Sequence, residues 1–230
     1  MTTERSNGAR VAGLVLLLCL PLALLLANLY VVATPLFIRT EYARASFPRA
    51  QLFDDDERLS LAEATLHYLR SGEDLEYLRD LRSQGQQVYN QREIQHLVDV
   101  KAVMNAAFAV QAVAVLLCLA ALLWLWRRKD TRSSAWQWFY RGCLLLFVSL
   151  LTVGVVAYFS FDVFFVFFHR VFFSGDTWLF AYTDTLIQLF PVQFWMDATW
   201  TLALLAVGES VLLGALSWLV YRRQIGRAGK

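Results

Sequence analysis

Residues 103–126 read VMNAAFAVQAVAVLLCLAALLWLW, a run without one charged side chain. A helix rises about 1.5 Å per residue and the hydrocarbon core of a bilayer is about 30 Å thick, so about 20 such residues cross it. The run is therefore a membrane span. Three other runs qualify on the same ground: Val11 to about Ile38, Gly142 to about Phe161, and Phe194 to about Tyr221. Composition agrees. Apolar residues make up 58% of the 230-residue chain and charged residues 17%, against roughly 45–50% and about 25% in soluble domains. That excludes a disordered chain and argues against an ordinary water-soluble enzyme. The expected fold is all-α, a four-helix transmembrane bundle in which residues 1–230 form a single integral membrane domain.

The first run is expected to be a retained helix, because its apolar stretch far exceeds the roughly 7–15 residues of a signal core. Cys19 follows Leu16-Leu17-Leu18, with none of the small residues of a lipoprotein cleavage site. Charge sets the orientation. Residues 127–141 hold Arg127, Arg128, Lys129, Arg132 and Arg141 against Asp130, and the C-terminal tail holds Arg222, Arg223, Arg227 and Lys230. The N-terminal tail adds Arg5 and Arg10 against Glu4. Residues 38–100 instead carry 12 Asp and Glu against 8 Arg. Basic segments stay cytoplasmic, which puts both termini inside and both long connections outside.

The two outer connections differ in kind. Residues 39–102 are expected to be a helical extracytoplasmic segment. Leu59, Ala62, Leu66 and Leu69 recur at helical spacing, Ser71-Gly72 stops that helix, and Leu75, Leu78 and Leu81 mark a short second one. Asn90-Gln91-Arg92-Glu93 has the form of a capping box, so the second spanning helix starts near Gln91. Residues 162–193 are expected to form an aromatic interfacial segment of the outer leaflet. Eight phenylalanines fall within 159–173, and Trp178, Phe180, Tyr182, Phe190, Phe194 and Trp195 follow. Such rings settle where one side is apolar and the other wet. An anchoring belt and a lipid-facing site are both open readings.

Chemistry is confined to few residues. The three histidines, His67, His96 and His169, all fall on the outer side. His67 shares a face with Glu63 and Arg70, opposite the leucines, and reads as a surface residue. Arg92, Glu93, His96, Asp99 and Val103 form one stripe, in which Asp99 could hold one imidazole nitrogen and raise the basicity of the other. The same stripe also reads as an interfacial histidine with Glu93 as a helix cap. His169 follows Asp162 by seven residues, and two histidines from separate segments can converge in a bundle. There is no metal motif, no glycine-rich phosphate loop and no G-x-S-x-G elbow, so no metal, cofactor, nucleotide or nucleic acid is expected. Cys19, Cys118 and Cys143 lie within the spans. Glu209, mid-way along the fourth run, is either a packing hydrogen bond or a proton-relay carboxylate of a small transporter.

Three strings carry a resemblance: Tyr89-Asn90-Gln91-Arg92-Glu93-Ile94-Gln95-His96-Leu97-Val98-Asp99-Val100-Lys101, Phe167-Phe168-His169-Arg170-Val171-Phe172-Phe173, and Asp184 to Trp195 (DTLIQLFPVQFW). In order, spacing and four-span layout the chain resembles the lipoprotein intramolecular transacylase family, four-span bacterial membrane enzymes. The resemblance implies transfer of the sn-2 acyl chain of a diacylglyceryl-cysteine to the α-amine of the same N-terminal cysteine, giving a lyso-form lipoprotein. It implies a diacylated lipoprotein as substrate, membrane lipid as surroundings, and a site at the outer leaflet of the bacterial cytoplasmic membrane. It places the catalytic pair on His96 and His169. Around them Asp99 is expected to orient His96 as the base, Arg92 or Arg170 to stabilise the oxyanion or position the chain, and Asp184 or Glu93 to receive the substrate ammonium. Tyr89, Trp178, Phe194 and Trp195 are substrate-binding candidates. A non-catalytic interaction protein and a transporter using Glu209 are the competing classes.

Overall fold

In the computed structural model, residues 2–228 are described, with side chains from 7 to 226. Lys230 lies outside the described residues, as do the side chains of Glu4, Arg5 and Arg227 from the basic tails. The chain is almost wholly helical: α1 (Thr2–Ala27), α2 (Leu29–Val32), α3 (Pro35–Tyr42), α4 (Asp55–Arg70) and α5 (Leu75–Asp80) come first. A two-stranded hairpin, β1 (Arg82–Ser83) and β2 (Gln86–Gln87), follows. Then come α6 (Gln91–Trp126), α7 (Arg132–Phe159), α8 (Phe161–Phe172), α9 (Thr185–Leu189) and α10 (Val192–Ala228). Four helical stretches are long and apolar enough to span a membrane: Asn7–Val32, Gln91–Trp126, Arg132–Phe159 and Val192–Gly226.

The apolar run from Val11 to Ile38 is not one helix. Asn28 turns its amide back onto the Leu24 carbonyl at 3.0 Å, which competes with the helical ladder. Thr34 then caps a new helix, accepting from the Phe37 amide at 3.2 Å, with Pro35 in its first turn.

The chain divides into two compact units. One comprises residues 1–29, 107–155 and 202–230. There α1, α6, α7 and α10 pack as a bundle around Leu16, Leu20, Cys118, Ala121, Leu125 and Cys143. Small residues allow close approach: a Cβ on Gly13 would stand 2.3 Å from the Trp138 ring, so α1 and α7 meet only because that atom is missing. All three cysteines are free thiols.

The other unit comprises residues 30–106 and 156–201. Its core joins Phe37 and Ile38 of α3, Leu61 and Leu66 of α4, Ile94 and Leu97 of α6, and Leu186 and Leu189 of α9. The helix expected through Leu59 and Leu69 is α4, capped by Asp54 and ended at Ser71. The capping box at α6 is formed. Glu93 Oε2 accepts the Asn90 amide at 2.8 Å, and Asn90 Oδ1 accepts the Glu93 amide at 3.1 Å. The hairpin was not expected. Its turn has positive φ at Gln84 (50°) and Gly85 (79°), the two-residue geometry that glycine favours.

Candidate active site

His96 sits on the first turns of α6, and His169 near the end of α8. Both belong to the second unit, and the fold brings their rings to 6.1 Å between centroids with planes 22° apart. Each residue is 8% exposed. Around them the surface is aromatic. Phe173 lies 4.9 Å from the His96 ring and 5.4 Å from that of His169. Phe180 packs edge-on to His96 at 5.3 Å. Phe165 and Trp178 flank His169 at 4.1 and 4.9 Å.

The two imidazoles have different hydrogen-bond environments. His169 Nδ1 lies 2.8 Å from the Phe165 carbonyl. A carbonyl only accepts, so in the neutral ring Nδ1 carries the proton and Nε2 carries the lone pair. His96 Nδ1 is buried and has no hydrogen-bond partner among the described residues. Native structures rarely leave such an atom unmatched, and an active site that awaits a substrate is one place where they do. Burial holds the His169 imidazole below its ordinary value, a shift opposed in part by the Phe165 carbonyl.

Between α8 and α9, Asp184 organises the connection that carries Trp178 and Phe180. Its Oδ2 accepts the Ala181 amide at 2.7 Å and the Arg92 guanidinium at 2.9 Å, and its Oδ1 accepts from Asn90 Nδ2 at 3.3 Å. The same guanidinium lies 5.4 Å over the Phe180 ring. One acidic side chain thus fastens the aromatic connection to the end of α6 on which His96 stands.

The family model described as "Lipoprotein intramolecular transacylase Lit" matches residues 14–195. The chain belongs to the lipoprotein intramolecular transacylase family. An uncharacterised protein of Aquifex aeolicus strain VF5 is 30% identical over 206 residues, 89% of this chain and 92% of that protein. The fold is that of the membrane integral lipoprotein intramolecular transacylase Lit from Bacillus cereus, with a TM-score of 0.74 at 20% identity, covering 96% of this chain and 99% of that one. A variant of that protein with one histidine replaced by alanine gives 0.69 at 18% identity, over 97% and 99% of the two chains. Family membership makes this chain a multi-pass membrane acyltransferase whose substrate is a lipoprotein.

Other candidates of the transacylase fall in different places. Asp99 does not reach His96. Its Oδ1 accepts from Gln95 Nε2 at 3.1 Å, one helical turn back on α6. Glu93 is 1% exposed, and its oxygens are taken by main-chain donors, Asn90 through Oε2 and the Leu186 amide through Oε1 at 2.8 Å. Tyr89 is buried, with its hydroxyl bonded to that of Thr65. Phe194 packs against Phe37 and Phe190 in the same core. Trp195 donates to the Phe190 carbonyl at 3.1 Å. Arg170 is exposed on α8. His67 is a surface residue, 3.8 Å from Glu73. Glu209 accepts from Asn28 Nδ2 at 3.2 Å, the packing hydrogen bond of the two readings.

Of the rings around the imidazoles, Trp178 is among the sequence candidates, whereas Phe165, Phe173 and Phe180 are not. The density of phenylalanine was visible, but nothing in it distinguishes a ring facing a histidine from one facing lipid. No group of three or more potential metal ligands gathers among the described residues.

Proposed function

We propose that His96 and His169 perform the acyl transfer together, with His169 as the base that takes and returns the proton and His96 polarising the carbonyl. The observation that carries this reading is the convergence of two buried imidazoles from separate segments, one with its tautomer fixed and one with an unmatched nitrogen. His169 Nε2 takes the proton from the attacking α-amine of the cysteine. The nitrogen bonds to the sn-2 carbonyl carbon, and the tetrahedral intermediate collapses by breaking the ester C–O bond. His169, now an imidazolium, returns that proton to the departing sn-2 oxygen, while neutral His96 donates a hydrogen bond to the carbonyl oxygen and polarises it. One amide and one hydroxyl replace one ester and one amine, so the product is an isomer of the substrate. Ester to amide is downhill, and no nucleotide is needed.

Two physical features support the assignment. Amine and ester sit on one modified cysteine, so holding them in reach makes the step effectively unimolecular, worth several kcal/mol of barrier. An α-amine has a reference pKa of about 7.7–8.0, so it is partly neutral near pH 7 and needs only a modest base as the bond forms. Membership of the family suggests the lipoprotein substrate, and the diacylglyceryl form is our reading of it.

The site faces the outer leaflet in this account. The basic termini and the basic 127–141 connection favour a cytoplasmic location for that side. On α8 the residues turned away from His96 are apolar and exposed, Val163, Phe167 and Val171 among them, as suits a helix lying in the plane of a membrane. The acyl chains lie against the opposite, aromatic side, where Phe173, Phe180 and Trp178 touch the histidines. Purified protein in vesicles is expected to convert a diacylglyceryl-cysteine lipopeptide into a product holding one base-resistant acyl chain. A substrate that keeps both chains base-labile would refute the reading.

A further inference from the structure

The second unit has a polar trench of about 330 Å³. Its lining includes Gln86, Gln87, Asn90 and Glu93 from the hairpin and the start of α6, and Thr183 and Asp184 from the connection before α9. Nothing in the acyl transfer described above uses it. Its position is suggestive, because Glu93 lies one turn before His96 on α6, about 4.5 Å along the axis.

The hairpin supplies an independent observation. In β1–β2, Ser83 pairs with Gln86 and Arg82 with Gln87. The pair that closes a two-residue turn exchanges its main-chain bonds, and bonded and non-bonded pairs alternate along an antiparallel ladder. The next bonded pair is confirmed by the Val88 amide on the Leu81 carbonyl at 3.1 Å. Gln87, between them, therefore turns its N–H and C=O away from β1, toward the open edge. Gln87 is exposed and lines the trench. A sheet edge with a free donor and acceptor is completed by an extended main chain.

Building on the catalytic reading above, we propose that this trench holds the first residues of polypeptide after the acylated cysteine, pairing their main chain with Gln87. The substrate is amphipathic, and the site has two matching halves, aromatic rings for the acyl chains and a polar trench for the peptide. Main-chain pairing carries little side-chain information, so the trench gives affinity for any lipoprotein with an extended start.

The test compares two synthetic substrates, diacylglyceryl-cysteine amide and diacylglyceryl-cysteine followed by four residues. In Gln87→Pro, which removes the outward N–H without touching a bond to β1, and in Thr183→Trp, which fills the trench, kcat/KM for the peptide-bearing substrate falls relative to the truncated one. A lost hydrogen bond predicts a fall of about three- to tenfold. Wild-type protein serves as the second arm, with substrates N-methylated at each of the first three peptide bonds in turn. One of them shows the same loss, and this arm does not depend on how the variants fold. An unchanged ratio in both variants, or no loss with any N-methylated substrate, overturns the trench while leaving the transacylase chemistry intact. No amide product from either parent substrate overturns the catalytic reading instead, and the trench assignment with it.

Discussion

The ring of His169 lies 6.1 Å from that of His96, and no carboxylate among the described residues bonds to either. Aromatic rings and a main-chain carbonyl do the work that an aspartate does in a Ser-His-Asp triad. They fix orientation and tautomer without adding charge. A neutral imidazole is the form that accepts a proton, and an apolar wall keeps it neutral.

This arrangement has a cost in acid. Burial lowers the His169 pKa in the folded protein, whereas the unfolded chain takes up its proton near the ordinary value of about 6.5. The unfolded state thus binds more protons below that value. The stability contributed by neutral His169 is complete above about pH 6.5 and is lost as pH falls from there toward the depressed folded value. Thermal unfolding in nanodiscs between pH 7.5 and 5 is expected to show a falling midpoint that is shallower in His169→Gln. Parallel slopes for the two proteins would rule this out.

Asp184 acts by holding the aromatic connection. The exposed part of its pairing, with an Arg92 side chain 49% accessible, is worth little alone, but the Ala181 amide depends on the same oxygen. Asp184→Ala is expected to lower kcat about tenfold through displacement of Trp178 and Phe180, at a cost of about 1–2 kcal/mol. Asp184→Glu restores part of the rate. Quenching of Trp178 fluorescence should change in the alanine variant, and an unchanged spectrum alongside a normal kcat would show that the clasp is idle.

Glu93 holds the fold together. Removing its carboxylate strands the Leu186 amide inside the core and uncaps α6. Glu93→Ala should cost about 1–3 kcal/mol for each buried donor left unmade, seen as a lower unfolding midpoint. If the variant unfolds with wild-type stability, the buried capping box is not what fixes α9 to α6.

Gly13 tests the bundle. A side chain there meets Trp138 at 2.3 Å, while Gly72 has open space around it. Gly13→Val should destabilise by about 1–3 kcal/mol, as overpacking does, and Gly72→Ala should not. Equal unfolding midpoints for the two variants would contradict the close approach of α1 and α7.

Much of this was readable from residues alone. Uninterrupted apolar runs give the four spanning helices, and Asp54, Ser71 and the Asn90–Glu93 pair mark helix ends through local hydrogen bonding that needs no tertiary context. The break at Asn28 was hidden because one polar residue in a long apolar run changes hydrophobicity little, yet its amide redirects the ladder. The surroundings of the histidines were hidden for another reason. Asp99 lies three residues after His96 and four after Gln95, and both spacings put two side chains on one helix face. Only packing decides that Gln95 takes the bond. The rings of Phe173 and Phe180 likewise reach His96 through the tertiary fold, which no spacing on α6 can disclose.

The most direct measurement is tandem mass spectrometry of the N-terminal peptide of a diacylated reporter lipoprotein. The reporter is co-expressed with the wild-type protein, His96→Ala or His169→Ala, in a host lacking any N-acylating enzyme. Intact mass is blind, because the acyl chain moves within one molecule. Fragmentation, or mild base that cleaves esters and spares amides, detects the move. An amide-linked chain with the wild type and none with either well-expressed variant is the predicted result. An amide-linked chain that persists in both variants, or an unmodified amine with the wild type, would contradict the histidine-pair account.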